Sequence, residues 1–292
     1  MAAVPIHVPV LSREVLEWLY PRPGQIIVDG TLGGGGHTRL LAERVADDNG
    51  FVIALDRDPA AIANGEQNLA GLPVKIAQAN FSELPSVLEE LGIVAVDGVL
   101  LDLGLSSDQL ADSERGFSFD SSGPLDLRFN PEEEAPAWTF IARLPERELA
   151  DLIYRFGEER YSRRIARRIV EQRAERPIKT ASELAELVRR CVPRSVDRID
   201  PATRTFQALR IAVNRELESL ETALEKIPDR LKPGGRLAII SFHSLEDRRV
   251  KEAFRSDSRL KPLTKKPLRP TDDEVYRNPR SRSAKLRVAE RV

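Results

Sequence analysis

The feature that most restricts the fold is a short apolar run, residues 26–29, that leads directly into a glycine-rich stretch, residues 30–37. An apolar run of this length is typical of a buried strand, and glycines permit positive φ and close approach of the backbone to a ligand. From Thr38 onward the apolar residues recur with helical spacing, so the loop opens a helix. A strand, a glycine loop and a helix N-terminus in this order predict a nucleotide-type binding crevice.

The spacing of the glycines discriminates between cofactor classes. Gly33 and Gly35 begin the dinucleotide pattern G-x-G-x-x-G, but Thr38 stands where that pattern requires its last glycine. Asp29, followed after three residues by Gly33-x-Gly35, is instead typical of loops that bind S-adenosylmethionine (SAM), whose methionine ammonium a carboxylate can hold. A glycine-rich turn that binds nothing remains the alternative at this point.

Three further apolar runs, residues 51–56, 74–81 and 96–104, alternate with helical patterns. This rhythm predicts an α/β fold with a parallel, doubly wound, Rossmann-like sheet, whose ligand site lies outside the C-terminal ends of the strands. Four residues are predicted at this edge: Gly33, Asp56, Phe81 and Asp102.

Asp56 ends the second of these strands, 21 residues beyond Gly35. An acid at this spacing hydrogen-bonds the ribose hydroxyls of cofactors that carry adenosine. A helix-capping role is the alternative, although Asp58 and Pro59 already supply an N-cap and a first-turn proline for the next helix. The two roles are compatible, because one carboxylate can lie at the strand tip and the other at the cap.

A fifth strand is predicted over residues 236–241, after one long helix that begins at Asp200 and continues to residue 227. Roughly a hundred residues precede that helix after Asp102, far more than a βα connection needs. We therefore predict a sheet domain over residues 1–110 and 203–292 and an inserted all-α, substrate-recognition subdomain over 111–202. One helix of the insert concentrates arginines that could contact phosphates or form a solvated face: Arg160, Arg163, Arg164, Arg167 and Arg168.

Composition excludes several classes of protein. The chain has 292 residues, of which 41% are apolar and 31% charged, which is sufficient for a globular core. Cys191 is the only cysteine, so an intramolecular disulfide framework is excluded, and with three histidines no metal site is expected. The apolar runs are shorter than the ~18 residues of a membrane span, so we expect no membrane partner and a cytoplasmic location.

The net charge of −1 is unevenly distributed along the chain. Residues 258–292 contain eleven lysines or arginines against four acidic residues, a balance of +7, so the rest of the chain carries −8. A basic segment on an otherwise acidic protein indicates contact with a polyanion at that end.

Six strings, in this order, are similar to those of one family: residues 29–37, 56–59, 101–110, 115–119, 123–128 and 241–248. Together they resemble the MraW/RsmH family, bacterial SAM-dependent methyltransferases of the exocyclic N4 of a cytidine in the decoding region of 16S ribosomal RNA. The resemblance implies a methyltransferase sheet with a helical insert, SAM as cofactor and the small ribosomal subunit as partner. It leaves open whether the protein is a monomer or a homodimer.

Carried over position by position, the resemblance implies contacts with the methionine end of SAM for the loop and with the ribose for Asp56. His37 could alternatively cap a helix, and Phe81 could belong to the core. The implied cofactor residues are Gly35, Gly36, His37, Asp56, Phe81, Asp102 and Gln109.

Asp102 is the candidate catalytic residue, because an acceptor of the amino hydrogens favours pyramidal geometry at the attacking nitrogen. Many amino-methyltransferases carry Asp/Asn-Pro-Pro-aromatic at this place, whereas Leu103, Gly104 and Leu105 follow Asp102 here. The aromatic platform for the base must therefore come from elsewhere. The candidates on the substrate side are Arg115, Phe117, Phe119, Ser241 and His243.

Each substrate candidate has a structural alternative. The rings of Phe117 and Phe119 could stack on a base or anchor a loop in the core. His243 follows the fifth strand, where a single histidine more often has a structural role.

Two other functions compete with this one. A NAD-dependent Rossmann enzyme would also use the strand, the loop and Asp56, but it disagrees with the glycine spacing and leaves the basic C-terminal segment unexplained. A non-catalytic RNA-binding or ribosome-assembly factor would keep the fold without methyl transfer.

Overall fold

A computed structural model describes residues 9–119, 121–193 and 200–292. The chain divides into two compact units, which we call the sheet unit (Met1–Ser106 and Leu217–Val292) and the helical unit (Ser107–Glu216). The sequence-based division placed residues 203–216 with the sheet, whereas these residues pack within the helical unit.

The sheet contains seven strands among the described residues: β1 (Ile26–Asp29), β2 (Phe51–Asp56), β3 (Val74–Gln78), β4 (Val96–Asp102), β5 (Leu231–Ser241), β6 (Leu260–Pro262) and β7 (Lys285–Arg291). Their order is β3-β2-β1-β4-β5-β7-β6. Strands β1 to β5 pair in parallel, and β7 is antiparallel to both neighbours. The predicted doubly wound α/β sheet is confirmed. Its strand order reverses beside β1, which places the ligand crevice outside the C-terminal ends of β1 and β4.

The helices of the sheet unit are α1 (Ser12–Leu19), α2 (Gly36–Val45), α3 (Pro59–Asn68), α4 (Leu84–Glu90), α11 (Glu216–Lys226), α12 (Ser244–Ser256) and α13 (Asp272–Arg277). The first residue of α11, Glu216, is the last residue of the helical unit. Those of the helical unit are α5 (Ser107–Ala111), α6 (Ala137–Arg143), α7 (Glu146–Gly157), α8 (Ser162–Glu175), α9 (Ala181–Cys191) and α10 (Thr203–Asn214). No helix among the described residues is both long and apolar enough to cross a bilayer.

Both faces of the sheet are buried, which explains why its strands are nearly continuous apolar runs. Along β4, Val99 and Leu101 point into one hydrophobic cluster and Leu100 points into the other. The first cluster includes residues of α4, α11 and α12, and the second includes residues of α1 and α2. The central strands are thereby held rigidly, with their C-terminal tips at one edge.

One local prediction was wrong. The single helix predicted up to residue 227 is two helices, because Arg215 adopts a left-handed conformation (φ 50°) that ends α10. At the start of α1, Ser12 is the first helical residue and follows a left-handed Leu11 without a side-chain cap. The backbone N–H of Leu11 donates instead to the carboxylate of Glu274, 263 residues away, at 2.7 Å. A long-range contact of this kind replaces the local cap.

The helical unit is organised around a buried polar side chain at the end of α10. The Asn214 amide nitrogen donates to the carbonyls of Leu127 (2.7 Å) and Arg210 (2.9 Å), and its Oδ1 accepts from the N–H of Phe129 (2.7 Å). Asn214 is fully buried. One side chain therefore joins the helix to the loop that precedes α6.

We expect Asn214→Ala to lower the free energy of unfolding by about 2–3 kcal/mol, because the Leu127 carbonyl and the Phe129 N–H would lose their partner inside the protein. Urea unfolding followed by circular dichroism measures this. Asn68→Ala, at an exposed position of α3, is the control and should change stability by less than about 0.5 kcal/mol. Equal effects of the two variants would contradict the stabilising role proposed for the Asn214 hydrogen bonds.

Candidate functional site at the C-terminal edge of the sheet

The glycine loop joins β1 to α2 in a conformation that excludes side chains. Gly33 and Gly35 have φ of 50° and 79°, in the left-handed region that favours glycine. A Cβ on Gly30 would lie 2.4 Å from Leu101 Cδ2 and 3.0 Å from Phe81 Cβ. The loop backbone therefore packs closely against the tip of β4 and the segment after β3, whereas its predicted close approach to a ligand stays a prediction.

Asp29 at the tip of β1 is fully buried and does not present a free carboxylate to a ligand. Its Oδ2 accepts from the hydroxyl of Thr38 (2.7 Å), and its Oδ1 accepts from the N–H (3.1 Å) and the hydroxyl (3.3 Å) of Thr31. Burial raises the pKa of Asp29, although His37 and the hydrogen bonds act in the opposite direction. The contact with a methionine ammonium that we inferred from the sequence does not fit this burial; Asp29 stabilises the loop instead.

The hydroxyl of Thr31 extends this network to β4. Its Oγ1 accepts from the backbone N–H of Asp102 at 2.7 Å. Sequence reasoning missed Thr31 and Thr38, and the only available signal was a pair of hydroxyl residues flanking the glycines. Together they connect β1, α2 and the tip of β4.

Asp102 and His37 lie side by side at this edge. His37 Nε2 is 3.5 Å from Asp102 Oδ2, and Asp102 Oδ1 accepts from the N–H of Gly104 at 3.3 Å. The His37 side chain is 6% exposed and that of Asp102 is 15% exposed. Gly35 is the N-cap of α2, so His37 lies inside the helix rather than capping it. The carboxylate of Asp102 is positioned from two sides while part of it stays accessible.

Asp56 accepts two backbone hydrogen bonds at the tip of β2. Its Oδ2 accepts from Gly33 (2.8 Å) and its Oδ1 from Asp58 (2.9 Å). Burial raises the pKa of Asp56 to about 6, against the effect of both N–H groups. Each carboxylate oxygen can accept a further hydrogen bond, so two acceptor positions remain for hydroxyl groups of a ligand. Asp58 caps α3 by accepting from Ala60 at 3.0 Å, as predicted.

The sheet unit thus brings together most of the predicted cofactor residues. The partly exposed Phe81 begins a 3₁₀ turn after β3, beside the glycine loop. Gln109 is buried on α5, in the helical unit. The arrangement in the sheet unit offers a backbone cradle and two carboxylates, a set that suits a ligand with hydroxyl groups and a reacting amine.

The aromatic substrate candidates of the helical unit already have partners. Phe117 is buried and stacks on Phe129 with ring centroids 5.7 Å apart. Phe119 meets Phe206 edge to face at 4.9 Å. The guanidinium of Arg115 donates to backbone carbonyls, including that of Phe129 at 3.0 Å. These contacts favour the alternative that the two rings anchor their loop.

Ser241 and His243 also have structural partners. Ser241 is buried at the end of β5, and its hydroxyl donates to the Lys285 carbonyl at 3.4 Å. His243 is the N-cap of α12: its Nδ1 accepts from the Glu246 N–H at 3.4 Å, and its Nε2 lies 3.0 Å from Glu246 Oε1. The geometry therefore favours a helix-capping part for His243.

Comparison with known proteins identifies a family for this chain. Residues 5–292 match the profile described as the MraW methylase family. A relative from Rhodopirellula baltica named "Ribosomal RNA small subunit methyltransferase H" is 54% identical, covering 100% of this chain and 93% of its own. A protein of the same name from Synechococcus elongatus is 52% identical, covering 98% and 95%. Among solved structures, a putative rRNA methylase from Clostridium thermocellum is 14% identical with a TM-score of 0.49, covering 96% and 95%.

The raised pKa of Asp56 has a measurable consequence. Because this pKa is about 6 in the folded chain and about 3.9 in an unfolded one, the folded state binds more protons between these values. The contribution of Asp56 to the free energy of unfolding therefore falls as the pH rises from about 4 to about 6 and is constant above. We expect NMR of carboxyl-labelled aspartate to show Asp56 titrating near pH 6.

Asp257 provides the internal control in the same spectrum, since hydrogen bonds from Arg259 lower its pKa. Asp56→Asn should remove the pH dependence of stability assigned to this group. A midpoint for Asp56 at or below that of an ordinary aspartate would mean that the N–H groups of Gly33 and Asp58 outweigh desolvation.

Proposed function

Since this chain belongs to the MraW methylase family, we propose that it is a SAM-dependent methyltransferase of ribosomal RNA in the small subunit, acting on the exocyclic N4 of a cytidine in the 16S decoding region. The observation that carries the proposal is the accessible carboxylate of Asp102, held at the tip of β4 next to a glycine loop that excludes side chains. The full-length similarity to proteins named as small-subunit rRNA methyltransferases supports the substrate class.

The residues of the sheet unit fit SAM. The methionine end would lie against the Gly33–Gly36 backbone, where the positive φ of Gly33 and Gly35 disfavours any side chain. Asp56 has acceptor positions left for the ribose hydroxyls, and the partly exposed ring of Phe81 can pack on adenine. When bound, SAM supplies an electrophilic methyl group on its sulfonium.

Asp102 acts on the nucleophile. The exocyclic nitrogen of cytosine delocalises its lone pair into the ring, so it must become pyramidal to attack. A carboxylate that accepts hydrogen bonds from the amino hydrogens favours that geometry and stabilises the charge that develops on nitrogen. The N–H groups of Asp102 and Gly104 hold the strand tip and the carboxylate in place, so little reorganisation is needed during the reaction.

The basic C-terminal segment supplies candidate phosphate contacts. Lys265, Lys266 and Arg269 are exposed in the connection between β6 and β7. Two other basic side chains of the segment are structural, because Lys285 and the buried Arg287 both pair with Asp247 (3.2 and 2.7 Å). Lys265, Lys266 and Arg269 are therefore candidates for contact with an anionic backbone.

The arginine face of the insert is partly neutralised. Arg167 lies 3.7 Å from Glu146, and Arg168 lies 3.1 Å from Glu171. These exposed pairs support the solvated-face alternative for two of the five arginines. The insert therefore ranks second to the C-terminal segment as a source of phosphate contacts.

Transfer of labelled methyl groups from SAM to small subunits tests the function. Subunits from cells that lack the enzyme should accept the label, nuclease digestion should yield N4-methylated cytidine, and subunits from normal cells should accept little. Label in any other nucleoside would overturn the N4 assignment, and SAM binding without transfer would favour an assembly factor.

We expect Asp102→Asn to lower single-turnover rates at saturating SAM by about tenfold to a thousandfold, because the lost interaction forms mainly in the transition state. SAM affinity, measured by calorimetry, should change far less. An unchanged rate would assign catalysis to positioning by other groups.

We expect the triple variant Lys265→Ala, Lys266→Ala and Arg269→Ala to weaken substrate binding and to flatten the slope of log affinity against log salt by about two units, since each phosphate contact contributes about 0.7–0.9. SAM affinity should be unchanged. As a control, Arg167→Ala removes a charge that already pairs with Glu146. An unchanged slope in the triple variant would move the RNA contact to other basic residues.

A further inference from the structure

The sequence places no aromatic residue beside Asp102, but the fold brings one there from the neighbouring strand. Phe242 is the first residue after β5, and β4 and β5 pair in parallel with Asp102 opposite Ile240. The N–H of Leu103 donates to the carbonyl of Ile240 at 3.0 Å and continues the pairing past the strand end. Phe242 therefore emerges alongside Gly104, two residues beyond Asp102.

The ring of Phe242 and the carboxylate of Asp102 meet at the same glycine. A Cβ on Gly104 would lie 2.7 Å from Phe242 Cε2, 2.8 Å from Phe242 Cζ and 3.3 Å from Asp102 Oδ1. Only glycine permits this approach, because any side chain would occupy the space that the ring edge fills. An aromatic edge and an acceptor carboxylate are thus neighbours at the C-terminal edge of the sheet.

The position of Phe242 is fixed from its backbone. Its N–H donates to Glu246 Oε2 at 2.8 Å, and Glu246 is buried within the capping box of α12. Part of the ring packs against the hydrophobic cluster that contains Ile240 and Leu286. Phe242 is nevertheless only partly buried as a residue, and its backbone is held in a fixed position.

We propose that Phe242 is the stacking platform for the target base, on which the cytosine ring lies while its amino group reaches Asp102. The inference rests on the proposed function and names the aromatic contact that the segment after Asp102 does not supply. Stacking on an aromatic side chain orients a base without reading its edges, which leaves the amino group free for the carboxylate. Phe117 and Phe119, which already pack on other rings, are not needed for this part.

The alternative is that Phe242 only fills space between Gly104 and the core. Phe242→Leu distinguishes the space-filling role from the stacking role, because leucine keeps apolar volume but lacks a π-face. Phe242→Tyr keeps the aromatic ring. The matched control is Phe51→Leu, which removes a partly exposed ring that lies 4.6 Å from Lys75 Nζ at the N-terminal end of β2. For each variant we would measure kcat and KM with small subunits, SAM affinity by calorimetry and the thermal unfolding midpoint.

We expect Phe242→Leu to lower kcat/KM for small subunits about tenfold to a hundredfold, chiefly through KM, while SAM affinity stays within about twofold. Phe242→Tyr should recover most of the loss, and Phe51→Leu should leave kcat/KM unchanged. Normal kcat/KM in Phe242→Leu, or a parallel loss of SAM affinity, would overturn the proposal. So would equal losses in the leucine and tyrosine variants.

A second measurement does not depend on Phe242→Leu folding normally. Phe242→Trp keeps a stacking ring and introduces a fluorophore, whose emission should be quenched by small subunits in excess of the change seen with the wild-type protein. No additional quenching would also overturn the proposal. Failure of the wild-type protein to methylate small subunits would instead reject the proposed function, so the two failures are distinguishable.

Discussion

The candidate site depends on the buried carboxylate of Asp29. Its hydrogen bonds with Thr31 and Thr38 connect β1 to α2, and the hydroxyl of Thr31 accepts the N–H of Asp102 on β4. A carboxylate at this depth is tolerated only with such partners, because an unpaired buried charge is strongly destabilising. The hydrogen bonds of Asp29 therefore fix both ends of the glycine loop, through Thr31 before it and Thr38 after it.

The two carboxylates beyond that network have different environments and correspondingly different parts. Asp56 accepts two backbone N–H groups while burial raises its pKa, and under the proposed function its remaining acceptor positions bind ribose hydroxyls. Asp102 is partly accessible beside His37 and near the ring of Phe242, and under the proposed function its carboxylate accepts from the target amine. The tips of β2 and β4, with β1 between them in the sheet, thus present two carboxylates with different surroundings at one edge.

The sequence alone predicted more of the sheet than of the side-chain roles. Alternating apolar runs determine buried parallel strands, since burial on both faces requires continuous apolar sequence, and the strand tips at Asp56 and Asp102 followed from it. The end of α10 at Arg215 was missed because the apolar spacing continues through it, and what ends the helix is a left-handed residue beside the buried hydrogen bonds of Asn214. Local patterns carry no information about such long-range partners.

What the sequence determined by itself is the class of fold, the glycine loop and the family, because periodicity, glycine spacing and ordered strings are properties of the chain. The tertiary structure determined which polar side chains are buried or already hydrogen-bonded. It buried Asp29, gave His243 a helix to cap and placed Phe242 against Gly104. The physical reason is that burial and hydrogen-bond partners depend on residues distant in sequence, which meet only when neighbouring strands pair and their helices pack.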